Sequence, residues 1–317
     1  MTDTQNEVFK SPVNKIRLFE HGAPGSQNLK LTRKYYTEDM PDGRVKHIVQ
    51  NITDPDIVPY IPDGIGNSTD RQRIPAVLII PGGAFRRLVY NFEGEDVAMW
   101  LNSMGIAAFV LECRLPSDEH DNAEDVPLID AMRAMRVIRG RAQEFGIDEA
   151  KIGVMGFSAG GFMAALLSTA YESDVYAYYK YKDEYDKLSA RPDFAVCSYP
   201  VISIDDCIEA GKRYMSEEQV LERISDSKAK ILHKYNPDKL VRPDMPPVFI
   251  CETDDDRTTL SENSVGFYMA ARKAGVSAEL HIFRTGGHGY GCGDDFAQTG
   301  EWKVLFTKWI KSIGIIS

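Results

Sequence analysis

From Ile74 onward the chain alternates apolar runs of strand length with helical patterns, and that alternation leaves few folds open. The runs are Ala76–Ile80, Ile106–Leu111, Ile152–Met155, Phe194–Tyr199, Pro247–Ile250 and Ala278–Phe283. Several are apolar on both faces, as strands buried inside a parallel sheet must be. Between them, Ala131, Met135, Ile138, Ala142 and Phe145 recur at spacings of four and three, which predicts one continuous helix face. Gly146 marks its stop, and Asp148 can cap the turn before the next strand. Similar patterns predict helices near Gly94–Met104, Ala159–Ala170, Ser261–Ala274 and Thr299–Ser312. Strand and helix in alternation give an α/β fold with a mostly parallel central sheet covered by helices on both faces.

Residues 1–74 have a different texture, rich in Pro, Gly, Asn and Asp, with two short β-like runs beginning at Lys15 and Val45. Two excursions interrupt the later rhythm. Residues 171–192 carry six tyrosines between Tyr171 and Tyr185, and residues 203–245 are polar with a helical pattern. Excursions after sheet strands build lids or pocket walls, and neither is long enough for a domain of its own. The expected organisation is a single domain over 1–317, with a leading β segment and two cap excursions.

Composition removes several function classes. At 43% hydrophobic and 26% charged, the chain is globular rather than disordered. A net charge of −10 argues against a nucleic-acid partner, which needs a basic patch or stripe. No apolar run approaches the ~18 residues of a membrane span, and the polar first residues do not read as a signal peptide. Five scattered cysteines (Cys113, Cys197, Cys207, Cys251, Cys292) with no C-x-x-C pair resemble reduced thiols, so a cytoplasmic location is expected. No H-E-x-x-H, phosphate-loop or dinucleotide fingerprint is present, and nothing calls for a metal or an organic cofactor.

The leading chemical signal is Gly156-Phe157-Ser158-Ala159-Gly160-Gly161, placed directly between a strand and a helix. A serine on such a turn sits in a strained backbone position with its hydroxyl pushed out of the sheet, above a helix N-terminus that favours negative charge. Read without context, the same residues are a Gly-rich turn with a capping serine. A neutral hydroxyl needs a base. His288 lies in the loop Gly286-Gly287-His288-Gly289 straight after the last strand, at the sheet edge where α/β sites form. His281 is inside that strand, His120 sits in an acidic loop, and His21, His47 and His233 have no supporting context. The base needs a carboxylate, and the strand Pro247–Ile250 leads to Asp254, Asp255 and Asp256, between which spacing does not choose. Pro81-Gly82-Gly83-Ala84-Phe85, after the strand Ala76–Ile80, can supply backbone oxyanion donors, and Ala159 another.

Four segments carry a family resemblance: Pro81–Phe85 with Glu93–Asn102 and Gly105–Leu111, Gly156–Gly161, Ser198–Ser203, and Glu262 through Gly289. Together they are similar to α/β-hydrolase fold esterases of the acetyl-xylan-esterase-like, or carbohydrate-esterase-like, group. The resemblance implies Ser158 as nucleophile, His288 as base, Asp255 as acid with Asp256 as the fallback, and Gly83, Ala84 and Ala159 as oxyanion donors. It also implies hydrolysis of small acyl esters, acetyl above all, on xylan-derived or other oligosaccharides. The chain differs from the family pattern at Ala84, where a third glycine is usual, and at Arg257-Thr258-Thr259-Leu260, where a Val-Pro pair is usual.

Two further readings complete the expectations. The tyrosines of 171–185 serve cap packing or a homo-oligomer contact, or else stack on sugar rings. Glu93 and Glu95 reach a sugar hydroxyl or simply favour a helix start. The alternatives to an esterase are a serine peptidase of the oligopeptidase type, suggested by Asp-Asp-Arg at 255–257, and a non-catalytic hydrolase-fold ligand receptor.

Overall fold

The computed structural model describes residues 9–64, 73–216, 218–220, 227–293 and 298–317. The polar residues 1–8, and parts of the leading segment and of the second excursion, lie outside the described residues.

The leading segment supplies β1 (Ile16–Arg17), β2 (Lys34–Asp39), β3 (Val45–Gln50) and β4 (Asp56–Tyr60). The sheet core follows with β5 (Ile74–Ile80), β6 (Leu88–Val89), β7 (Ala107–Glu112), β8 (Ile147–Phe157), β9 (Ala195–Ser198), β10 (Val248–Thr253) and β11 (Ala278–Phe283). Eight strands pair in the order β1-β4-β7-β5-β8-β9-β10-β11, while β2, β3 and β6 form a separate three-stranded sheet. From β7 to β11 every pairing is parallel, and β4 runs antiparallel to both β7 and β1. The apolar runs of β5, β7, β9 and β10 are buried along almost their whole length, as their two-sided apolarity requires.

Among the described residues the α-helices include α1 (Asp96–Ser103), α2 (Val126–Gly140), α3 (Ala142–Phe145), α4 (Ala159–Ala170), α5 (Ile204–Tyr214), α6 (Ser227–Lys234), α7 (Ser261–Lys273) and α8 (Glu301–Ser312). Aromatic contacts join α1 to α8 through Trp100 and Trp302, edge-on, and α8 to β10 through Trp309 and Phe249, tilted. α2 packs on α4, which lies over β8 and β9. The α/β class and the strands after Ile74 agree with the sequence pattern. The single helix through Phe145 does not: it breaks at Arg141 into α2 and α3. The break falls beside Gly140, where a side chain would lie 2.3 Å from the Tyr185 ring, so the excursion packs against the helix just where it ends. Gly146 does close α3 in the left-handed conformation, and Asp148 accepts the Ala150 N–H at 3.0 Å.

The tyrosine excursion is a clamp. The Tyr176 hydroxyl bonds Asp186 at 2.7 Å and meets Arg136, Tyr179 donates to the Gly22 carbonyl at 3.0 Å, and Tyr171 bonds Asp244 at 2.7 Å. The leading segment is held from a second side by Arg114, whose side chain is fully buried. It forms a two-pronged pair with Asp130 on α2 and also donates to the Pro24 carbonyl and, at 2.8 Å, to the Ser26 hydroxyl. Removing one partner of such a pair leaves an uncompensated buried charge. Asp130→Ala is therefore expected to cost about 3–5 kcal/mol of stability, read as a drop in the urea midpoint.

Candidate active site

β8 ends in a turn that only small residues can make. Ser158 sits at φ 54, ψ −117, between strand and helix. A side chain at Gly156 would lie 1.9 Å from the Gly160 carbonyl oxygen, and one at Gly160 would lie 1.9 Å from the Ile80 carbonyl oxygen. The backbone is held there by Ser158 N–H to the Ser198 carbonyl at 3.0 Å and Phe162 N–H to the Ser158 carbonyl at 3.0 Å. Strain of this kind persists only where the surroundings over-determine it.

The Ser158 hydroxyl meets His288 Nε2 at 2.9 Å, and His288 Nδ1 meets Asp256 Oδ2 at 2.6 Å. Asp256, not Asp255, thus stands behind the histidine, which corrects the position that the family resemblance gave to the acid. The reason lies in the turn after β10. Asp256 N–H reaches back to the Thr253 carbonyl at 3.3 Å, rolling residue 256 inward and leaving Asp255 exposed. The turned-in carboxylate accepts the Thr258 N–H at 2.7 Å, the Thr259 N–H at 3.0 Å and the Thr259 hydroxyl at 3.0 Å. Burial alone would raise the Asp256 pKa, but the His288 bond and charge and these amides outweigh it and hold the carboxyl below its usual range. The Arg257–Leu260 sequence, which departs from the family pattern, is the segment that supplies those donors.

Asp255 has different partners. Its Oδ1 accepts the Gly286 and Gly287 N–H groups at 2.9 and 2.8 Å, and the Thr253 hydroxyl donates to the Gly287 carbonyl at 2.9 Å. These three bonds fasten the loop that carries His288. Adjacent aspartates therefore grip the histidine and its loop separately.

Gly83, Ala84 and Phe85 all have positive φ, which turns the loop after β5 toward Ser158. Phe85 anchors it edge-on against Phe162 of α4, ring centroids 5.5 Å apart. Ala84, where the family pattern has glycine, holds φ 58 with an L side chain. Gly83 and Ala84 line a cleft of about 890 Å³ together with Ser158 and His288. Among the described residues, neither N–H of this pair has a hydrogen-bond acceptor, and Ala159 is the first residue of α4, where backbone N–H groups are unclaimed by the helix. The far wall is the β2–β3 hairpin with Met40, Arg44 and Lys46, a contribution from the leading segment that no sequence signal announced. None of the six tyrosines of 171–185 lines this cleft.

Two buried acids stand beside the site: Glu93, whose oxygens are taken by the Gly82 N–H and the Tyr199 hydroxyl rather than offered to a sugar, and Glu252, which escaped the sequence reading. Glu93 sits under the loop after β5, accepting the Gly82 N–H at 2.8 Å. Glu252, fully buried at the end of β10, accepts from the Thr253 N–H at 2.9 Å and the Ser264 hydroxyl at 3.2 Å. Burial, and then the neighbouring Asp256 charge, push the Glu252 carboxyl well above its ordinary value. Among the described residues, no group of three His, Cys, Asp or Glu side chains is arranged to hold a metal ion. No helix among them is long and apolar enough to cross a membrane.

A family model described as BD-FAE matches residues 65–270. The acetylxylan esterase of Xylanibacter ruminicola is 31% identical over 240 residues, which are 75% of this chain and 45% of that protein. Endo-1,4-beta-xylanase B of Butyrivibrio fibrisolvens is 32% identical over 230 residues, 71% of this chain and 34% of that protein. The chain thus spans less than half the length of either relative. Among solved structures, the acetyl ester-xyloside bifunctional hydrolase of Caldicellulosiruptor lactoaceticus superposes with a TM-score of 0.67 at 36% identity, covering 84% of this chain and 91% of that one. The fold is that of the α/β-hydrolases.

The raised Glu252 carboxyl has a consequence for stability. A folded-state value above the unfolded one means that the folded chain binds more protons, so this group's contribution is fully present below about pH 4.5 and is lost as pH rises toward the folded value. Glu252→Gln removes that slope. Thermal melts from pH 4.5 to 8 should show the variant gaining on the wild type as pH rises; a constant difference would contradict the shift.

Proposed function

The chain belongs to the BD-FAE family, and on that footing we propose that it is a serine carboxylesterase releasing small acyl groups, acetyl above all, from xylan-derived or other oligosaccharide esters. The observation that carries the reading is the unbroken relay from the Ser158 hydroxyl to His288 at 2.9 Å and from His288 to Asp256 at 2.6 Å. The substrate class is supported by the acetylxylan esterase and the acetyl ester-xyloside hydrolase that the chain resembles.

In this mechanism Ser158 Oγ attacks the ester carbonyl carbon as His288 Nε2 takes its proton. The carbonyl oxygen becomes an oxyanion received by the N–H groups of Gly83, Ala84 and Ala159. Collapse breaks the bond to the alcohol oxygen, which leaves with the proton from His288. Water then attacks the acyl-enzyme, giving its proton to His288, and the acid departs as Ser158 recovers its hydrogen. Asp256 holds the Nδ1 proton and stabilises the imidazolium throughout, and Asp255 keeps the histidine loop in place. The cleft, at about 890 Å³, has room for an oligosaccharide end as the alcohol. The hairpin residues Met40, Arg44 and Lys46 would meet that alcohol.

The same reading treats residues 1–317 as one hydrolase domain, because Gly83, Ser158, Asp256 and His288 come from widely separated parts of the chain and meet in one cleft. A cytoplasmic location belongs to the proposal too, supported by Cys113, Cys197, Cys251 and Cys292 being buried free thiols.

Hydrolysis of a chromogenic aryl acetate and of acetylated xylo-oligosaccharides tests the proposal. Ser158→Ala should abolish both activities with the fold retained, and full activity there would sink the assignment. Asp256→Asn should lower kcat by about 10³–10⁴-fold, and Asp255→Asn by far less, since only the former fixes the histidine tautomer. The reverse ranking would return the acid to Asp255.

A further inference from the structure

Glu93 lies on the π-helical turn Asn91–Glu95 and is only 5% exposed. Its two oxygens face two different parts of the site. Oε2 accepts the Gly82 N–H at 2.8 Å, at the start of the oxyanion loop. Oε1 accepts the Tyr199 hydroxyl at 2.9 Å, and that hydroxyl itself accepts the Gly291 N–H at 3.1 Å, just beyond the histidine. The Tyr199 ring meets His288 edge-on with centroids 5.0 Å apart. A side chain on Gly82 would lie 2.6 Å from Glu93 Oε2 and 2.5 Å from the Phe157 carbonyl oxygen, so the glycine is what lets the carboxylate reach the loop.

A buried carboxylate is expensive unless both oxygens are satisfied. Here each oxygen acts as an acceptor, the pattern of the ionised form. The Gly82 donor lies in the loop after β5, and the Tyr199 donor, just after β9, is itself bonded by Gly291 beyond His288, so the carboxylate links the two loops that acyl transfer must hold in register around Ser158. We propose that Glu93 is a positioning residue of the reaction: ionised, it pins the oxyanion loop and, through Tyr199, the histidine loop, and its charge favours the imidazolium that His288 becomes. The inference rests on the esterase reading and deepens it.

The charged and titratable groups around Glu93 fit this role. Burial is the largest influence on its carboxyl and leaves it above its ordinary value; His288 from the histidine loop, Tyr199 from the end of β9 and Lys46 from β3 act the other way and favour the ionised form. On its own segment, Glu95 is 3.4 Å from the Tyr60 hydroxyl, and Asp96 lines the same cleft. Arg44 and Arg87, also in the cleft wall, are paired with Asp42 and Glu38.

The test is p-nitrophenyl acetate hydrolysis across pH by the wild type, Glu93→Gln and Tyr199→Phe, with fluorophosphonate labelling of Ser158 alongside. Glu93→Gln should lower kcat by about 10–100-fold with KM held within about threefold. It should also move the acidic limb of kcat/KM down by roughly half a pH unit, because the imidazolium loses a neighbouring negative charge. A purely structural role would not move that limb. Tyr199→Phe keeps the charge and cuts the bridge, so kcat should fall by about 3–10-fold with the limb in place. An unmoved limb in Glu93→Gln overturns the inference, as does a wild-type kcat in Tyr199→Phe should the first variant fail to fold. A wild type that neither turns over the acetate nor takes the label overturns the esterase reading itself, and this inference with it.

Discussion

The close approach of the first turn of α4 to the ends of β5 and β8 is the constraint on which the rest of the site depends. Backbone meets backbone there with no room for a β-carbon at 156 or 160, and the serine between them is forced out of both strand and helix geometry. Every other group is placed relative to that point. The Gly82–Phe85 loop leaves β5 beside it, the Asp254–Asp256 turn leaves β10 two strands away, and the loop bearing His288 follows the edge strand β11. The parallel register sets the carboxyl ends of these strands side by side, so residues far apart in the chain arrive within hydrogen-bond reach.

What the sequence revealed follows from what leaves a local imprint. Strands buried on two faces have to be continuously apolar, which made β5, β7 and β10 visible, and a Gly-flanked serine between strand and helix marks a turn that few other functions need. The meeting of Ser158 with His288 was legible for that reason. Which aspartate stands behind the histidine was not, because Asp254, Asp255 and Asp256 are chemically alike, and their positions separate only when a tight turn rolls one inward. Glu93 was ambiguous for a similar cause: its partners, Gly82 and Tyr199, are distant in sequence, and a glutamate before a helix usually serves the helix dipole. The break after Gly140 was hidden because the spacing of apolar residues continues through it, and only the packing of Tyr185 interrupts the geometry.

Charge does more structural work inside this molecule than its net value suggests. Arg114 and Asp130 join the sheet to α2 and to the leading segment, and Arg133 bridges the Leu18 carbonyl to Asp183 of the tyrosine excursion. Lys15, Arg33 and Tyr35 converge on the buried Glu112 at the end of β7. These contacts fasten irregular chain to regular core, beside the apolar anchors Leu18, Phe19 and Tyr176. The −10 charge of the whole chain carries no information about any of them.

The cleft is built from two kinds of chain. One wall is the crowded elbow with its paired loops, where nearly every atom is spoken for. The other is the β2–β3 hairpin, whose Met40, Arg44 and Lys46 stand around the exposed turn that Asp42-Gly43 closes. Exchanges on that hairpin leave the elbow's backbone contacts untouched. If the cleft takes a sugar ester as proposed, an altered preference for the alcohol would arise most readily at Met40 and Arg44 near the turn, whereas Lys46, which also faces Glu93, is tied to the loops around Ser158.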